Sequence, residues 1–138
     1  MTLTKDTVRE LEQSARTAAK AAYSPYSKFP VGAAVLAESG KIFSGCNVEN
    51  ASFGLCNCAE RTAVFNAVSA GERRIRAIVV YTPTSTATAP CGACRQVLNE
   101  FGGEALVISV CDGDSRIETS LAQLLPAAFG PNDLIPGR

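Results

Sequence analysis

Two short segments, Cys58-Ala59-Glu60-Arg61 and Pro90-Cys91-Gly92-Ala93-Cys94, stand out in a chain that contains no histidine. Each falls where a helix is expected to begin. Their thiols therefore meet only in a fold that sets two separate helix starts side by side. Three thiolates around one ion, with a carboxylate that stays off the metal, make an open zinc site whose fourth position is left to solvent. Without imidazole the commonest neutral-pH general base is missing, so any catalysis must run on Cys, Asp, Glu, Lys, Tyr or water held by a metal.

At 138 residues the chain reads as one domain, residues 1–138, which must hold the whole function. Thirteen basic and thirteen acidic side chains cancel, with no run of like charge in either half. Binding a polyanion by counterion release requires a basic stripe, so a nucleic acid polymer and an anionic membrane are both disfavoured and a small neutral ligand fits better. The opening residues, Met1 to Thr7, lack a basic segment followed by an apolar stretch, and no segment approaches the ~18 apolar residues that span a bilayer. A cytoplasmic location is expected. In a reducing compartment the six cysteines point to metal or redox use before a disulfide framework.

Along the chain, apolar Val8, Leu11, Ala15, Ala18, Ala19 and Ala22 recur at helical steps and predict a helix from about Thr4 to Tyr23, with Thr4 and Thr7 both placed to cap it. Pro25 and Pro30 then forbid helix. Val31 to Ala37 reads as a strand, Ser39-Gly40 as a turn, and Lys41 to Val48 as the return strand, with Gly45 a bulge or a point of close backbone approach. Beyond an irregular connector, Asn50 to Asn57, come a helix from Ala59 to about Ser69 and a strand from Ile75 to Thr82. A helix from Cys91 to Phe101 follows, then strands at Leu106 to Cys111 and Arg116 to Thr119 and a short helix from Ser120 to Leu125. Strand, helix, strand, helix, strand after a hairpin predicts parallel crossovers: an α/β fold with a mixed five-stranded sheet between helices.

Helix starts favour thiolates at Cys58 and Cys91, because free N–H groups and the positive end of the helix dipole face them. Three thiolates on Zn²⁺ leave a formal charge near −1, which Arg61 offsets if it donates to a ligand sulfur; an exposed helix arginine is the plainer reading. Glu60 is placed to overhang the open position as a proton shuttle, or it simply favours the helix dipole. Two other readings of the cysteines stay open on residues alone: a closed four-thiolate site completed by Cys56, and thiol redox chemistry at Cys91 and Cys94. Cys46 and Cys111 read as small buried hydrophobes.

Cys58-Ala59-Glu60-Arg61 together with Pro90-Cys91-Gly92-Ala93-Cys94-Arg95-Gln96-Val97 resembles the zinc-dependent cytidine deaminases. The likeness extends to Ser24-Pro25-Tyr26-Ser27-Lys28-Phe29-Pro30-Val31-Gly32-Ala33-Ala34, to Gly45-Cys46-Asn47-Val48-Glu49-Asn50-Ala51 and to the tail Ala128-Phe129-Gly130-Pro131, so it covers roughly residues 5 to 134. These segments look like those of the small, homotetrameric type, and the resemblance implies a three-layer α/β/α sandwich.

It implies hydrolytic deamination of cytidine and 2′-deoxycytidine to uridine and 2′-deoxyuridine, with release of ammonia, in pyrimidine salvage. One Zn²⁺ per subunit would be held by Cys58, Cys91 and Cys94, with Arg61 in support and Glu60 moving protons. Phe29 would stack on the pyrimidine, and Ala59 would offer its backbone to the ring edge. Asn47 and Glu49, two apart in an extended segment and so on one face, would grip ribose hydroxyls. Ala51, Phe53 and Phe129 would serve a neighbouring subunit's site. Position 53 is Phe here where the family often has Tyr, so any hydrogen bond from that phenol is absent. A blasticidin-S-type nucleoside deaminase is the alternative enzyme, and a zinc-stabilised or redox binding domain the alternative without one.

Overall fold

Capping chemistry decides where the first helix begins. In the computed structural model, which describes residues 3–135, the Thr4 hydroxyl accepts from Thr7 N at 3.1 Å and α1 runs Lys5–Ala19. The helix stops short of the predicted Tyr23 because Tyr23 is drawn into a bridge with Val48: its N–H donates to Asn47 O at 3.0 Å and its carbonyl accepts from Glu49 N at 2.8 Å.

Next come β1 (Gly32–Ala37), β2 (Ile42–Cys46), α2 (Ala59–Ser69), β3 (Ile75–Tyr81) and α3 (Gly92–Gly102), then β4 (Leu106–Val110), β5 (Ile117–Ser120), α4 (Leu121–Leu124) and α5 (Pro131–Leu134). All five predicted strands are present with ends shifted slightly. A 3-10 turn at Phe53–Leu55 and the short α5 lie where no regular structure was predicted. β2 ends before Val48 because Asn47 and Val48 leave the hairpin to pair with Val31, Tyr23 and Asn57.

The sheet has the order β2-β1-β3-β4-β5. β1 is antiparallel to both of its neighbours, so β2 and β3 run the same way with β1 between them; β3 and β4 are parallel and β5 closes antiparallel. Both helical crossovers, through α2 and through α3, therefore join parallel strands, as the alternation predicted.

Strand residues alternate between two cores. Ala33, Val35, Ile78, Val80 and Val107 pack with Ala63, Val64 and Ala67 of α2 and Leu98 of α3, whereas Ala34, Leu36, Ala77, Val79, Ile108 and Val110 pack with Leu11 and Ala15 of α1. One helix on one face and the rest on the other make the three-layer α/β/α sandwich. Gly45 of β2 lets α2 approach so closely that a Cβ there would lie 2.4 Å from Ala63 N, the close backbone approach anticipated from the sequence.

The register pairs Gly32 with both Cys46 and Tyr81. It thus brings the end of β2, the start of β1 and the end of β3 to one edge of the molecule, where the functional residues gather.

Candidate active site

α2 begins at Cys58 and α3 at Cys91; each cysteine is the extended N-cap residue, and neither uses its side chain to cap its helix. Their sulfurs stay free to face one another across 4.0 Å, with Cys91 Sγ 3.4 Å from Cys94 Sγ. All three sulfurs lie within 4.8 Å of one another. A tetrahedral ion with Zn–S bonds of about 2.3 Å separates its sulfurs by roughly 3.8 Å, so the triad fits zinc with little movement.

Among the described residues no fourth protein ligand joins this cluster. Cys56 is engaged elsewhere, accepting from Asn50 N at 3.3 Å, which removes the closed four-thiolate reading. All six cysteines are unbridged.

Charge around the triad is arranged for thiolates. Arg61, one turn into α2, donates from Nη2 to Cys58 Sγ at 3.2 Å, while its buried Nε has no protein partner. The Cys94 hydrogen bond, reinforced by the Arg61 guanidinium, holds the Cys58 thiol down to about 5 against the opposing effect of burial. Cys94, bonded to Cys58 and buried, is pushed up in turn, so that without a metal Cys58 is the thiolate of the pair and Cys94 keeps the proton. Glu60 is buried at 6 % exposure, and burial, with the negative charge of Cys58 adding to it, raises its carboxyl above the ordinary 4.5.

A cavity of about 330 Å³ opens onto Cys58, Cys91 and Glu60 and is walled by Ser27, Phe29, Val31, Asn47, Glu49, Ala59, Val80, Thr82, Thr88 and Ala89. That volume is at the small end of the roughly 300–1,000 Å³ typical of small-molecule sites. Larger clefts along α1, one of them between α1 and the β4–β5 edge of the sheet, share no residue with it and are lined mainly by charged side chains.

Within the wall, Asn47 donates from Nδ2 to Phe29 O at 2.7 Å and accepts from Val31 N at 2.9 Å. Glu49 Oε1 accepts from Tyr26 N at 3.0 Å and Ser27 N at 3.1 Å, and Oε2 accepts from the Ser27 hydroxyl. Ala51 and Phe129 are exposed and do not line this cavity; the Phe129 carbonyl is held by Gln96 and Asn99 of α3.

Residues 5–110 match the family model described as the cytidine and deoxycytidylate deaminase zinc-binding region. The chain belongs to the cytidine and deoxycytidylate deaminases. The cytidine deaminase of Sporosarcina psychrophila is 50% identical over 129 residues, spanning 92% of this chain and 94% of that protein. That of Mycobacterium tuberculosis H37Rv is 45% identical over 124 residues, 90% of each chain. The crystal structure of the Burkholderia pseudomallei cytidine deaminase superposes with a TM-score of 0.85 at 48% identity, covering 92% of this chain and 100% of that one. This deaminase is thus an enzyme, which sets aside the redox and binding-domain readings, and its cofactor is zinc at the Cys58, Cys91 and Cys94 cluster.

Val80, Thr82, Thr88 and Ala89 also line the deaminase cavity, as do Ser27 and Val31, which the sequence offers only as members of the Ser24 to Ala34 segment that carries the likeness. For Val80 the only prior signal was its place near the end of a strand that feeds a cysteine-bearing helix. Thr88 and Ala89 sat in a loop of small residues with none.

Proposed function

We propose that this chain deaminates cytidine and 2′-deoxycytidine hydrolytically to uridine and 2′-deoxyuridine, releasing ammonia for pyrimidine salvage in the cytoplasm. The observation that carries this reading is the buried Glu60 carboxyl in the same small cavity as Cys58 and Cys91, opposite Phe29, Asn47 and Glu49.

Zinc, when held by Cys58, Cys91 and Cys94, supplies Lewis-acid activation of water at its open position. Glu60 takes the proton from the water that attacks C4 of the cytosine ring. It delivers that proton to N3, which draws electrons from C4, then takes the proton of the new C4 hydroxyl as the C4=O bond forms and passes it to the departing amine, so that the C4–N bond breaks with ammonia leaving in place of an amide anion. A carboxyl held above its ordinary value by burial is suited to both halves of that exchange. Phe29 stacks on the pyrimidine, the Ala59 backbone meets the ring edge, and Asn47 and Glu49 receive the ribose hydroxyls. Arg61 tempers the charge of the thiolates.

Support for a nucleoside over its 5′-phosphate comes from the wall, where the described lining residues include two carboxylates and neither Lys nor Arg. A homotetramer is favoured by exposed Phe53 and Leu55, with Phe53 edge-on to Tyr26 at 5.7 Å, and by Phe65 and Phe129, all at the surface. In that assembly Ala51 and Phe129 contribute to a neighbour's site.

The test is ammonia release from cytidine, deoxycytidine, CMP and blasticidin S by the purified zinc protein. Turnover of both nucleosides, with CMP and blasticidin S inert, is expected. Preferential turnover of CMP or blasticidin S would overturn the assignment.

A further inference from the structure

Phe29 has an unusual means of support. Phe29 is 37% exposed, and Lys28 before it adopts a left-handed φ of 56°. Polar tethers grip both sides of its backbone. Phe29 O accepts from Asn47 Nδ2 at 2.7 Å, and Phe29 N donates to Ser27 Oγ at 3.1 Å. The same Ser27 oxygen donates its hydrogen to Glu49 Oε2, while Ser27 N donates to Oε1 at 3.1 Å. One hydroxyl therefore links the backbone of the aromatic residue to the Glu49 carboxylate.

We infer that Ser27 is a positioning residue for substrate, setting the distance between the Phe29 ring and the Glu49 carboxylate through a single hydroxyl that accepts from one and donates to the other. This rests on the roles given above to Phe29 and Glu49. Its chemistry is that of recognition and not of the reaction, because the hydroxyl is bonded to these two residues and not to the thiol cluster or Glu60. When a ribose hydroxyl arrives at Glu49, it meets an acceptor already aimed by Ser27 and by the Tyr26 and Ser27 N–H groups. Removing the Ser27 hydroxyl leaves Glu49 its backbone donors but frees the Phe29 peptide on one side.

The experiment is steady-state deamination of cytidine by Ser27→Ala, Ser27→Thr, Glu49→Ala and the double variant Ser27→Ala/Glu49→Ala, each checked for zinc content and melting temperature. Ser27→Ala is expected to raise KM about tenfold, the value of one charge-assisted hydrogen bond, with kcat changed less than about threefold. Ser27→Thr, which keeps the hydroxyl, is expected to restore KM. In the double variant the two effects are expected to be less than multiplicative, since Ser27 acts partly through Glu49. If Glu49→Ala raises KM but Ser27→Ala does not, or if the two effects multiply fully, the positioning role is wrong while the reading of Glu49 stands. If Glu49→Ala leaves KM unchanged, the ribose assignment itself fails and takes this inference with it.

Discussion

Arg61 Nη2 lies 3.2 Å from Cys58 Sγ, so the helix that begins at a metal-binding sulfur also carries the cation that neutralises it one turn later. The i to i+3 spacing on α2 makes this contact a property of the helix itself. The guanidinium reaches the sulfur with its Nε buried, on a side chain that is itself half-buried.

Arg61→Ala is therefore expected to weaken zinc retention or turnover by about 10–100-fold, the range for loss of a group that bonds to a metal ligand. Competition with a chelator followed by zinc analysis, alongside kcat/KM for cytidine, checks it. Unchanged values in both would show that the contact has no electrostatic role.

Glu60→Gln keeps the shape of the buried side chain and removes its ability to carry protons. It is expected to retain about one zinc per chain while losing about 10²–10⁴ in kcat. The melting temperature should not fall, because burial already disfavours the ionised carboxyl and the amide carries no charge to bury. Loss of zinc together with activity would instead make Glu60 part of the metal site.

Stripping the zinc should leave unequal thiols. With its proton lost at about 5, Cys58 is a thiolate above that pH and a thiol below it, whereas buried Cys94 holds its proton through neutral pH. Alkylation of the metal-free protein, mapped by mass spectrometry, is expected to modify Cys58 ahead of Cys94 at pH 7 and to slow as pH falls through about 5. Equal rates at the two sites would contradict the arrangement.

Packing of α2 on β2 depends on Gly45, where an added Cβ would lie 2.4 Å from Ala63 N and 2.8 Å from the Thr62 carbonyl carbon. Gly45→Ala should cost about 1–3 kcal/mol or more, read as a lower urea midpoint, because the overlap is with backbone that cannot turn aside. Activity should fall too, since the same helix presents Cys58 and Glu60. Gly54→Ala, where the added carbon meets nothing within 4 Å, is the matched control and should leave the midpoint unchanged.

Much of the site was legible because it is local. A cysteine at a helix start, a glutamate two residues on and an arginine three residues on have their relative placement decided by a single turn of backbone, so Cys58, Glu60 and Arg61 were readable as a unit. The end of α1 was not, since Tyr23 leaves the helix for hydrogen bonds to Asn47 and Glu49, residues far along the chain. Nor did any pattern show that Glu49 would be held by the Tyr26 and Ser27 loop, which is a matter of side-chain reach across a gap.

By itself the sequence determined which atoms are available: three thiols without imidazole, a carboxyl beside them, and helix starts that favour thiolates. Only the tertiary structure decided that they meet. Threading β1 antiparallel between β2 and β3 makes the crossover through α2 join parallel strands, direct parallel pairing of β3 with β4 does the same for α3, and the pairing of Gly32 with Cys46 and Tyr81 sets the ends of β2 and β3 at one edge. Strand order depends on pairings among distant segments, and local propensity carries no information about which strand becomes whose neighbour.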